Sequence, residues 1–194
     1  MPISNSKIAS MALIEIGVEP IDNLNDENER ANIMDKIYDQ TVDELIEGYQ
    51  WNFAMERQLL VQKAITTAQA LEFTTAWQLP TNPYCLRATE MINSEDDWKV
   101  EGRTLLTNLS AVTIKYIKRI TDPVQFTPSF IGALVPLLAS KAVLPLKQDA
   151  KAKEALFGLH LEMLNKAKAN DGQEGTAEDF VSSELTDTRF QTGG

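Results

Sequence analysis

Gly48-Tyr49-Gln50-Trp51-Asn52-Phe53-Ala54 is the stretch at which this 194-residue chain changes character. Before it, apolar residues recur every three or four positions, the period of a helix; after it they alternate, the period of a strand. Helical spacing returns past Pro128 and runs to about residue 170. Two helical arms from opposite ends of the chain must meet to bury their apolar stripes, which leaves the middle as an insertion. The reading is therefore α+β: a helical bundle from residues 1–52 plus 123–170, an inserted antiparallel β subdomain at 53–122, and a flexible acidic C-terminal tail at 171–194.

The arms carry recognisable ends. Ser4 or Ser6 can cap a first helix with the stripe Ile8, Ala12, Leu13 and Ile16, closed by Gly17 and Pro20. Asp26 stands three residues before Glu29, a capping-box variant that opens a long helix through Ala31, Met34, Tyr38, Val42, Leu45 and Tyr49. On the return side, Thr127-Pro128 is a good N-cap and first-turn pair. Pro136 lacks the N–H that would reach the Gly132 carbonyl, so a kink or a helix in two pieces is expected, with Pro145 ending it. Asp149 then caps a final helix whose buried face is read as Ala152, Leu156, Leu159, Met163 and Ala167.

Between the arms, Leu71, Phe73 and Thr75 alternate, and Trp77-Gln78-Leu79-Pro80 leads into a turn. Cys85-Leu86-Arg87-Ala88 resumes an extended run. Trp98 to Leu106 reads as a tight hairpin about Gly102, and a last strand divides Val112, Ile114 and Tyr116 from Thr113, Lys115 and Ile117.

Composition removes several functional classes. The net charge is −10, which disfavours nucleic acid as a held ligand, because that affinity comes mainly from Lys and Arg. Its distribution is uneven: residues 1–54 hold three basic and eleven acidic side chains, whereas residues 128–170 hold six and three. Acidic and basic arms attract. The N-terminus shows no basic region followed by an apolar core, so no signal peptide is predicted and synthesis is expected in the cytoplasm. The apolar run Phe130 to Leu146 falls short of a membrane span and is read as a buried core helix.

Chemistry-bearing residues are sparse. The single cysteine, Cys85, excludes an internal disulfide and is read as a small core hydrophobe. His160 is the only histidine and is read as a boundary residue rather than a general base. Glu95-Asp96-Asp97 lacks the alternating oxygen ligands of a calcium loop. Tyr49, Trp51 and Phe53 could stack nucleic-acid bases, yet their neighbours are Glu44, Glu47 and Glu56 rather than a basic groove. The expectation is a non-enzymatic protein with no cofactor and no metal.

The order of segments then resembles a known family. Ala12-Leu13-Ile14-Glu15-Ile16-Gly17, Glu44 to Ala54, Trp77-Gln78-Leu79-Pro80, Cys85-Leu86-Arg87, the hairpin from Trp98 to Leu105, Ile114-Lys115-Tyr116-Ile117 and Ile120-Thr121-Asp122-Pro123 resemble the tail tubular and head-to-tail adaptor (connector) proteins of tailed bacteriophages. The resemblance spans roughly residues 8–170. It implies a structural virion protein at the head-tail junction, assembled as a homo-oligomeric ring, commonly of twelve copies, between the portal protein and the tail nozzle or tube, with tail fibres as further neighbours. DNA would pass through its channel without specific binding, and no membrane is involved. Two site expectations follow: Asp35, Asp39, Asp43 and Glu47 of the acidic arm line the channel, and Phe180, Val181, Leu185 and Phe190 of the tail bind a partner such as the portal. The alternative is a protein-binding or assembly-chaperone module that never enters a virion; a connector of long-tailed phages would differ only in its partner.

Overall fold

The computed structural model describes residues 3–92 and 94–174. Two helices, α1 (Asn5–Glu15) and α2 (Glu29–Glu47), open the chain. Seven strands follow: β1 (Met55–Leu59), β2 (Val61–Lys63), β3 (Thr75–Gln78), β4 (Cys85–Met91), β5 (Trp98–Glu101), β6 (Thr104–Thr107) and β7 (Thr113–Lys118). Helices α3 (Pro128–Lys147) and α4 (Ala150–Gly172) complete an α+β fold.

Helix α3 is the centre of the bundle, with α1, α2 and α4 packed around it. Thr127 caps it by accepting from the Phe130 N–H, and Phe130, Leu134, Leu138 and Ala142 are fully buried. By length and composition alone α3 is apolar enough to cross a membrane, contrary to the sequence reading; here 61% of its apolar stretch is buried, against the other three helices, and Leu144 stays exposed. Pro136 does not split it, and Pro145 does not end it, since the helix runs to Lys147 and closes on left-handed Gln148. Burial on several sides outweighs the two lost backbone hydrogen bonds.

Helix α1 ends in a Schellman motif: Val18 N–H reaches the Leu13 carbonyl at 3.0 Å and Gly17 N–H the Ile14 carbonyl at 2.9 Å. Gly17 takes φ +65°, and the Lys147 ammonium donates to the Ile16 carbonyl at 2.8 Å, placing a cation at the negative helix end. The cap of α2 is Asn28, not Asp26: Asn28 Oδ1 accepts from Ala31 N–H at 2.9 Å. Asp26 instead folds back to accept from the Asp22 and Asn23 N–H groups, closing the preceding turn. On α4, Ala167 is buried and Ala152, Leu156, Leu159 and Met163 are half-buried, but His160 lies deeper than any of those four. The helix continues to Gly172, so Asp171 belongs to the bundle rather than to the tail.

The strands form two antiparallel sheets, ordered β1-β7-β4 and β2-β3-β6-β5. The hairpin β5-β6 turns at Gly102, φ +58°, as expected. One expectation fails, and two strands were not expected. Residues Gln69–Leu71 form a short 3-10 turn with Leu71 on the surface, and the strand begins at Thr75. The strands β1 and β2 escaped notice because Glu56, Arg57, Gln58, Gln62 and Lys63 carry no apolar alternation; both are sheet edges.

The alternation in β7 divides two cores. Ile114 and Tyr116 point between the sheets, where they meet Trp77, Leu79, Cys85 and Leu105. Ile117 points the other way, into the helical core, with Met55 and Leu86 beside it. Farther along the same face, Lys115 lies near Glu90 and the surface is charged. Only the near end of the β1-β7-β4 sheet rests on the helices, so the strands stand out from the bundle.

Candidate interaction sites

The crossover from helices to strands is an aromatic knot. Trp51 is fully buried, packs edge-on against Tyr49 at 4.9 Å and Phe130 at 5.1 Å, and lies 6.0 Å from Phe53. Its indole N–H donates to the Leu45 carbonyl at 3.0 Å. That carbonyl is in the last turn of α2, where intrahelical donors run out. With the indole enclosed and its donor committed, Trp51 is a structural junction and not a stacking platform.

A second fastening joins the same crossover to the far end of the chain. The Asp171 carboxylate accepts from the Asn52 backbone N–H at 3.0 and 3.2 Å, and Asn52 Nδ2 donates to the Asp171 carbonyl at 2.6 Å. Burial raises the Asp171 carboxyl above its ordinary value, the Asn52 N–H opposes this, and Glu174 adds to it. Proximity in sequence gives no hint of the pair, 119 residues apart.

The acidic arm divides. Asp35, Asp39 and Glu47 are exposed on α2, but Asp43 is half-buried and bound by Arg119 through two guanidinium contacts, Nε to Oδ1 at 3.0 Å and Nη2 to Oδ2. Hydrogen bonding to Asp43 holds the Arg119 guanidinium above its ordinary pKa. Asp39, Asp43, Tyr38 and Arg119 border a cleft of about 390 Å³ between α2 and the chain leaving β7. Arg119 also lies 5.2 Å from the Tyr84 ring, with Arg103 over that ring at 4.0 Å. Arg103 in turn donates to the Cys85 and Pro80 carbonyls. A chain of contacts thus runs from the β5-β6 turn to α2. Sequence reasoning missed both arginines, since a surface Arg declares no partner 76 residues away.

Cys85 and His160 lie in different cores and form no nucleophile and base pair. Cys85 is fully buried, and burial pushes its thiol up to about 11 against the opposing pull of Arg103. His160 is not a boundary residue: it is 5% exposed and its Nδ1 lies 2.8 Å from the Ala133 carbonyl. A carbonyl only accepts, so Nδ1 carries the proton. This bond braces the turn of α3 that contains Pro136.

Asp96 is engaged in a local turn with Ser94, and no cluster of three or more metal-ligating side chains occurs among the described residues. Phe180, Val181, Leu185 and Phe190 lie outside the described residues. No protein-family model matches the chain, and no curated protein matches it.

Proposed function

We propose that this chain is a structural virion protein, a head-to-tail adaptor of a tailed bacteriophage that forms a ring below the portal, extends the DNA channel and docks the tail nozzle or tube. One observation carries the reading: three of the segments that resemble the adaptor family fall on joints of this fold, the others lying within its strands. Ala12 to Gly17 is the Schellman end of α1, Glu44 to Ala54 the aromatic knot, and Ile114 to Pro123 the return from strands to helices. Joints fix how one body is held on another. A shared shape requires them even where surfaces diverge.

The proposed role requires a rigid subunit with separate faces and no catalysis. In it, the protruding strands would offer the surface for tail proteins, and the exposed carboxylates of Asp35, Asp39 and Glu47 would face DNA and repel it, keeping the conduit slippery. Asp43 is already neutralised by Arg119 and contributes little. The tail anchors Phe180, Val181, Leu185 and Phe190 would engage the portal. The test is co-sedimentation of the purified chain with the portal from the same phage. Sedimentation with the portal supports the adaptor, and a chain left in the supernatant at micromolar concentrations favours the non-virion module.

A further inference from the structure

A second cleft, of about 210 Å³, lies between the end of α2 and the outer half of α4. Leu45, Leu137, Phe157 and Leu164 give it an apolar lining, and His160 and Lys168 stand at its wall and rim. Phe157 remains 48% exposed beside it. The Lys168 ammonium sits 5.3 Å from the Tyr49 ring and has no carboxylate within salt-bridge distance among the described residues. The cleft is the size of one aromatic side chain, with a cation at its edge that no carboxylate of the described residues pairs.

We propose that Phe180 of the same chain occupies this cleft, with Glu178 or Asp179 against Lys168. The described chain ends at Glu174, three residues past Asp171, which is fastened to Asn52, and six residues past Lys168 of the cleft lining. Leu164 lies ten residues back along α4, or about 15 Å. Six extended residues from Glu174 to Phe180 reach about 20 Å, enough to double back and insert. Glu178 and Asp179 immediately precede the phenylalanine in sequence, so its insertion would carry them past Lys168. Phe190 lies a further ten residues on and is preceded by Arg189 rather than by carboxylates. The short tether makes the effective concentration of Phe180 about millimolar, well above that of any second copy at micromolar protein. If the tail also engages the portal, cleft and portal compete for the same side chain.

The test uses the full chain with the photoreactive analogue p-benzoylphenylalanine at position 180, and a control carrying it at Thr192. An equal mixture of isotopically light and heavy protein, with no portal present, is irradiated and mapped by mass spectrometry. Adducts to Leu137, Phe157, Leu164 or Tyr49 within one isotopic copy, in about tenfold excess over the control, are expected. Lys168→Glu should lower that yield severalfold while the circular dichroism spectrum stays unchanged. Adducts between light and heavy copies, adducts elsewhere on the chain, a yield no higher than the control, or indifference to Lys168→Glu would each overturn the proposal. Failure here leaves the ring reading standing, since portal binding tests that separately.

Discussion

Replacing Asp171 tests whether the two ends of the chain are fastened at the crossover. In Asp171→Ala the Asn52 N–H loses its only acceptor among the described residues, in a bond that is part-buried although Asn52 itself is exposed; the loss should cost about 1 kcal/mol, the low end for an orphaned donor. Asp171→Asn keeps an oxygen acceptor and removes the partly desolvated charge, so at neutral pH it should fall within about 1 kcal/mol of the parent protein. The pH dependence has a definite sign. The folded carboxyl titrates above its ordinary value of 3.8, so between those two values the folded state binds more protons than the unfolded state. Stability contributed by this group is then greatest below the ordinary value and declines as pH rises to the folded value, beyond which it is flat. Asp171→Asn lacks that decline. Urea unfolding followed by far-UV circular dichroism across pH 3 to 7 should show the Asn variant gaining on the parent as pH rises. An Ala variant within 0.5 kcal/mol of the parent, or an Asn variant whose difference from the parent falls with pH, would refute the reasoning.

Trp51→Phe removes the donor to the Leu45 carbonyl and leaves a void of roughly 40 Å³, about 1 kcal/mol by the cavity relation. With the lost hydrogen bond the total is about 2 kcal/mol, measured by the same urea titration. Gly17→Ala forces a side chain into φ +65°, against Lys147 Nζ at 3.3 Å; it should cost about 1–2 kcal/mol, visible as a lower Tm. Cys85, buried with its thiol raised, should resist a disulfide reagent at pH 8 in the folded protein and react fully in urea. Rapid labelling without denaturant would contradict its place between the sheets.

What was legible from sequence followed period and punctuation. The stripes of α1 and α2, the Thr127-Pro128 start, the Gly102 turn and the two-sided β7 are local patterns that burial then reinforced. The edge strands β1 and β2 were not legible, because a strand with an exposed edge and few inward side chains has no apolar rhythm. Pro145 misled for the opposite reason: a local rule was overridden by packing. At the sites, the carboxylates of α2 were visible, but the pairing of Asp43 with Arg119 was not, and neither was the fastening of Asn52 by Asp171. Both join residues far apart in sequence, and short polar side chains announce no distant partner. His160 was misplaced by a single position on the helix, since its neighbour Leu159 matched the apolar stripe while the ring had a carbonyl to reach.

The ring is the central claim, and electron microscopy of the chain mixed with the portal of its phage tests it most directly. The account predicts closed rings of this protein seated coaxially on the portal, with the strands outermost and Asp35, Asp39 and Glu47 facing the channel. Portal particles with no added density, or rings in which all three carboxylates lie on the outer wall, would contradict it.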